Sequence, residues 1–199
     1  MTFVFSSIES SPKEKNSSKL STTGKVLIGI TGGVAVALTA ICSSFVSPAL
    51  RKICLPYVPA TDLQIKNVME ALRGSKGKLI DLGSGDGRIV LEAAKNNFEA
   101  HGVELNFWLV LFSKLSIYRQ NFTHKPQFFC TDLWKFSLAP YNNIVIFGVE
   151  EMMKDLENKI EKEVKLGSKI VACRFPLPNW EPITTLGTGV DTVWVYLKK

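Results

Sequence analysis

Two histidines and four cysteines are all the nitrogen and thiolate ligands that this chain offers to a zinc ion. Cys42, Cys54, Cys130 and Cys173 stand far apart with no C-x-x-C pair, and only His101 and His124 are there to supplement them. Neither a zinc site nor a disulfide framework is therefore expected. Scattered thiols fit a reducing compartment such as the cytosol or the mitochondrial matrix. Two nucleotide signatures are also missing. From Gly83, a G-x-G-x-x-G fingerprint requires glycine at position 88, where Arg88 stands, and no Gly-Lys-Ser/Thr ending makes a phosphate loop. Charge is absent altogether from residues 26 to 50.

That uncharged run, "VLIGITGGVAVALTAICSSFVSPAL", is bounded by Lys25 and by Arg51 and Lys52. As a helix it would be roughly 37 Å long, enough to cross a hydrocarbon core of about 30 Å. A transmembrane or membrane-anchoring helix is the expectation. The competing readings are a buried core helix and a cleaved secretory signal, whose apolar stretch is about 7 to 15 residues. Gly29 and Gly33 form a small-xxx-small pair, and basic residues at both ends leave the positive-inside count undecided. Residues 1–25 are Ser- and Lys-rich without apolar periodicity and read as a disordered tail. Residues 51–199 suffice for one domain, and 46% hydrophobic residues can build its core. The 24 basic against 18 acidic side chains, net +6, suit an anionic partner or membrane surface.

Beyond the run, Thr61 followed by Gln64 reads as a capping box, with Ile65, Val68, Met69 and Leu72 on one helical face and Gly74 at its end. Strands are expected at Lys78–Leu82, Glu99–Glu104, Gln127–Thr131, Asn143–Val149, Lys169–Phe175 and Thr192–Leu197. Helices are expected at Arg88–Asn96, Phe107–Gln120 and Glu151–Leu166, the last carrying Met152 and Met153 as core. This alternation implies βαβ units in a mainly parallel sheet with helices on both faces.

The stretch "LIDLGSGDGRIV", residues 79–90, ends the first of these strands with three glycines. Ligands of open α/β sheets sit beyond the strand C-termini, and Gly83, Gly85 and Gly87 allow a tight turn and close backbone approach. Asp81 precedes the loop, and Glu104 closes the next strand 23 residues later (104 minus 81), near the spacing of about 20 at which an acid takes ribose hydroxyls. No basic cluster answers a pyrophosphate. A nucleoside with an amino-acid tail fits, namely S-adenosylmethionine.

"DLGSGDG" followed by "GVELN" resembles the first two motifs of class I S-adenosylmethionine-dependent methyltransferases. With "LRKICLPYVPAT", "DLWKF", "VIFGV", "ACRFPLPNW" and "GVDTVWVY", the chain from about 48 to 196 is similar to the mitochondrial lysine N-methyltransferases of the ATP synthase c subunit and the adenine nucleotide translocase. The resemblance implies a compact, seven-stranded Rossmann-like sheet in the α/β class, preceded by the membrane helix. It implies S-adenosylmethionine held by Tyr57, Thr61, Asp81, Gly83, Ser84, Gly85, Asp86, Gly87, Glu104 and Asp132. Asp132 lies near the adenine edge or the reaction centre, and Trp134 is either a π face for the substrate ammonium or a core aromatic. Phe175, Pro176 and Trp180 are expected along the acceptor channel.

Arg88 is expected in a first helical turn, His101 as a packed side chain and His124 in a loop. Glu150 and Glu151 either attract a basic substrate or stabilise a helix start. "FGVEE" replaces the N/D-P-P-Y/F of adenine and glutamine methyltransferases, which counts against nucleic-acid bases as substrates. The expected protein is an inner-mitochondrial-membrane enzyme facing the matrix, without a metal and without nucleic acid, whose partner is a membrane protein bearing the target lysine. A non-catalytic S-adenosylmethionine-binding assembly factor is the alternative from another class.

Overall fold

The computed structural model describes residues 21–46, 58–118, 120, 122 and 124–199. Tyr57, the tail through residue 20 and the last part of the uncharged run lie outside the described residues. The chain forms two units, residues 1–40 and 41–199.

Helix α1, Thr22–Val46, starts four residues before the uncharged run because the Ser21 hydroxyl accepts the Gly24 amide at 3.1 Å. The stretch Thr22–Ser43 is long and apolar enough to cross a membrane, and none of its residues is buried. Two of its threonines bond back into the helix: Thr31 Oγ1 donates to the Leu27 carbonyl at 2.8 Å and Thr39 Oγ1 to that of Ala35 at 2.9 Å.

The larger unit runs α2 Asp62–Ala71, β1 Lys78–Leu82, α3 Arg88–Lys95, β2 Glu99–Glu104, α4 Phe107–Ile117, β3 Gln127–Cys130, β4 Asn143–Phe147, α5 Glu150–Glu163, β5 Lys169–Cys173, β6 Thr184–Leu186 and β7 Val193–Leu197. The seven strands form one sheet in the order β3-β2-β1-β4-β5-β7-β6, parallel except for β7, which is antiparallel to both neighbours. Strand order reverses between β1 and β4, so the crevice beyond their C-termini is where a ligand belongs.

Period-two alternation divides the core. Leu79, Val145, Val171, Val193 and Val195 face α2, α3 and α4, while Ile80, Ile144, Ile170 and Tyr196 face α5. The second face has one helix, and the segments carrying Leu133, Leu138, Tyr141 and Leu177 cover the rest.

Element boundaries differ from expectation for identifiable reasons. Strand β5 stops at Cys173 because Arg174 takes a left-handed φ of 71°. Helix α5 stops at Glu163 because Val164 is extended, and Gly167, expected at the helix end, turns the chain into β5 with φ 78°. Strand β6 has no counterpart among the expected strands: its two threonines are exposed and its pairing with β7 is the main thing that makes it a strand. The Thr61–Gln64 box is half formed. Thr61 Oγ1 accepts the Gln64 amide at 3.0 Å, but the Gln64 side chain donates to the Val190 carbonyl at 2.9 Å.

Candidate active site

The glycine loop hangs from β2. The Val103 carbonyl accepts both the Gly83 and Ser84 amides, at 2.9 and 3.0 Å, and Gly87 donates to the Ser84 carbonyl at 2.8 Å. Two glycines are obligatory on steric grounds. Gly83 has φ 81° and a Cβ there would lie 3.0 Å from the Phe147 carbonyl oxygen; Gly87 has φ 82° and its Cβ would enter the Phe128 ring at 2.6 Å.

Glu104 closes the loop from the other side. Its Oε2 accepts the Gly85 amide at 3.0 Å and its Oε1 the Asn106 amide at 2.8 Å, so the carboxylate is fixed at the edge of the crevice. Remaining lone pairs on both oxygens suit a vicinal diol.

Asp81 and Ser84 lie beneath. Both are buried, and Asp81 Oδ1 and Ser84 Oγ have no hydrogen-bond partner among the described residues. Burial, reinforced by the Glu104 and Asp86 carboxylates, pushes Asp81 up to about 8. Two orphaned polar atoms under a bare backbone turn are what a polar, cationic amino-acid end would satisfy, since natural proteins rarely leave such atoms unmatched. The residues present therefore fit S-adenosylmethionine.

The other expected residues distribute themselves differently. The Asp86 carboxylate faces Arg88, whose Nε lies 3.0 Å from both of its oxygens; Arg88 Nη1 also donates to the Ala60 carbonyl at 2.6 Å. This pair straps the loop to the segment before α2. The Thr61 hydroxyl, expected on the cofactor, donates to the Asp191 carboxylate while capping α2. Asp132 follows β3, where the Thr131 amide bonds the Glu104 carbonyl at 3.1 Å, and Asp132 Oδ1 accepts the Trp134 amide at 3.1 Å. Trp134 is 36% exposed and so is not a core aromatic. Glu150 and Glu151 are exposed in the first turn of α5.

His101 is packed as expected: Nδ1 lies 2.8 Å from the Tyr141 hydroxyl, the ring stands edge-on to Phe129, and burial lowers its pKa. Trp180 departs from expectation. It packs against Tyr196, whose register partner Ile170 is near the start of β5, so it sits toward the end of the sheet away from the glycine loop. The reason is a clasp no local pattern announces: Glu157, buried on α5, accepts the Asn179 amide at 2.8 Å and its Nδ2 at 2.7 Å, and the Tyr196 hydroxyl accepts the Leu177 amide at 2.9 Å. Arg174 stands in the ACRFPLPNW stretch, which assigns it no role, and lies at the crevice. Its left-handed backbone sets the guanidinium 5.7 Å from the Phe147 ring centroid, at the C-terminal ends of β4 and β5.

Comparison with known proteins agrees with this geometry. Residues 81–184 match the family described as ANTKMT methyltransferase domain, and residues 17–51 match the N-terminal domain of the lysine N-methyltransferases of the ATP synthase c subunit. The chain is 53% identical over 173 residues to the ATP synthase c-subunit lysine N-methyltransferase of Xenopus laevis, covering 87% of this chain and 76% of that protein. For the Homo sapiens protein of that name the figures are 50% over 183 residues, 92% and 78%. The adenine nucleotide translocase lysine N-methyltransferase of Mus musculus is 38% identical over 175 residues, covering 85% and 76%. Among solved structures, an RNA methyltransferase from Salinibacter ruber in complex with S-adenosyl-L-homocysteine shares the fold, with TM-score 0.65, 23% identity, and 70% of this chain and 93% of that one covered. A switch-point crevice with orphaned polar atoms and relatives at half identity lead to one conclusion: the chain belongs to the family of lysine N-methyltransferases of the ATP synthase c subunit and the adenine nucleotide translocase, and is an S-adenosylmethionine-dependent protein-lysine N-methyltransferase.

Proposed function

We propose that this enzyme methylates a lysine of the ATP synthase c subunit at the mitochondrial inner membrane, its catalytic domain, residues 51–199, facing the matrix and the apolar segment, residues 26–50, serving as the anchor. The observation that carries the catalytic part is the pair of orphaned buried atoms, Asp81 Oδ1 and Ser84 Oγ, beside the oriented Glu104 carboxylate. The choice of substrate follows the higher identity to the c-subunit enzymes than to the translocase enzyme. The back-bonded threonines of α1 support the anchor, because hydrocarbon leaves no other partner for a hydroxyl.

When bound, the methyl donor supplies a group already activated by its sulfonium, so the protein's task is alignment. Glu104 accepts the ribose hydroxyls. Asp81, protonated at neutral pH in the empty protein, would hold the ammonium of the methionine end as a carboxylate, its proton passing to solvent. A target lysine has to lose its own proton, a cost of about 4 kcal/mol near pH 7.5. Desolvation in the crevice and the fixed charge of Arg174 at the ends of β4 and β5 both lower that cost. Trp134, exposed beside Asp132, offers its π face to the substrate ammonium and its methylated forms.

The test incubates the full chain with labelled donor and mitochondrial membranes from cells lacking the enzyme. Label on the c subunit, lost with Asp132→Ala, is the expected result. Label on the translocase instead would replace the substrate, and donor binding without transfer to any protein would leave a cofactor-binding assembly factor.

A further inference from the structure

Helix α4 is apolar on the side it shows to solvent as well as on the side it buries. Val110, Ser113 and Ile117 face inward, 0 to 8% exposed. At about 100° per residue, Phe107, Trp108, Leu111, Phe112, Leu115 and Tyr118 all fall on the opposite arc. Phe107, Phe112 and Leu115 are 56 to 57% exposed and Tyr118 79%. A helix that is hydrophobic all round belongs in a core or in lipid, and the sheet covers only one side of this one.

Charge selects the occupant. From Leu105 to Thr131 the sequence has no aspartate or glutamate, but it has Lys114, Arg119 and Lys125. Lys114 is exposed on α4 near the margin of the stripe, and the Lys125 ammonium lies 5.2 Å from the centroid of the Tyr118 ring. Aromatic and leucine side chains on one face, basic residues at its margin and no acid describe a helix that lies in the plane of an anionic bilayer surface. A second copy of the chain would bring lysine against lysine. Anchoring by α1, as proposed above, confines the chain to a membrane surface and raises the effective concentration of lipid around the exposed stripe.

We propose that α4 docks in the headgroup region of an anionic leaflet, burying Phe107, Leu111, Phe112, Leu115 and Tyr118 among the lipids. The proposal rests on the anchored reading of α1 given above. Its consequence for the enzyme is direct: Asn106, which caps α4, donates its amide to Glu104, so docking seats the cofactor crevice at the lipid boundary and favours lysines presented there.

The experiment places single copies of the full chain in nanodiscs of phosphatidylcholine, with and without phosphatidylglycerol, and measures quenching by brominated lipid of the emission that Trp108→Phe removes. Quenching that is stronger in the anionic discs, and several-fold weaker in the Leu111→Glu/Leu115→Glu variant at unchanged S-adenosyl-L-homocysteine affinity, is expected. Co-elution with the discs but no quenching of Trp108 overturns the docking of α4 and leaves the anchor intact, whereas failure to co-elute defeats the anchor. Quenching that appears only with a second copy or an added substrate protein also overturns it, assigning the stripe to that partner.

Discussion

Glu104 Oε2 accepts the amide of Gly85 at 3.0 Å, which joins the acid at the end of β2 to the middle of the loop that follows β1. One carboxylate thus holds the loop's shape at the edge of the crevice, where the ribose is proposed to bind. Glu104→Ala removes a charge-assisted bond to Gly85 and another to Asn106, each worth about 1.5 to 3 kcal/mol. Calorimetry with S-adenosyl-L-homocysteine should show affinity falling at least roughly tenfold, with Glu104→Gln losing less because one acceptor oxygen remains.

Asp81 is expected to make cofactor binding proton-linked. Its folded value near 8 lies above the unfolded 3.8, so below about pH 8 the empty protein carries a proton that the facing ammonium displaces. Titrations at pH 7 in buffers of different ionisation enthalpy should show net proton release on binding, and Asp81→Asn should abolish it along with most of the affinity.

The same residue sets a stability trend. Because the folded state holds a proton that the unfolded chain has lost, stability declines as pH rises from about 4 to about 8 and the loss is complete above that. Asp81→Asn removes this slope. Urea unfolding of the cofactor-free protein at pH 5 and pH 8 should show the variant gaining on the parent at the higher pH.

Gly87→Ala places a Cβ inside the Phe128 ring contact at a left-handed φ of 82°. Backbone strain alone costs about 1 to 2 kcal/mol, and the clash adds to it. A fall in melting temperature of several degrees is expected. Gly29→Ala, with nothing within 4 Å, should leave it unchanged.

Trp134 is exposed, so Trp134→Ala should keep fold and donor affinity and act on the acceptor. Loss of a cation–π contact of about 0.5 to 2 kcal/mol predicts a higher KM for the protein substrate, restored in large part by Trp134→Phe.

Much of the sheet is legible from pattern. Lys78–Leu82 and Glu99–Glu104 have the expected bounds, the first closed by the turn at Gly83 and the second by the Asn106 cap of α4. Strand β6 is illegible: Thr184 and Thr185 are exposed, and it is β7 that makes them a strand. Helix α4, expected through Gln120, ends at Ile117, where Tyr118 forms its C-cap.

The site divides along the same line. Gly83, Gly85, Gly87, Asp81 and Glu104 are readable because backbone geometry and charge restrict those positions to few residue types, and local chemistry alone carries that restriction. Partners across the fold are not readable: Arg88 straps Asp86 to Ala60, Thr61 turns to Asp191, and Glu157 draws Asn179 and Trp180 away from the crevice. The amino-acid order by itself determined six of the seven strands, the glycine turn and the choice of S-adenosylmethionine as the ligand. Tertiary structure decided which polar atoms are already satisfied and which are left for a ligand, because a hydrogen bond between residues far apart in the chain exists only once the sheet has brought them together.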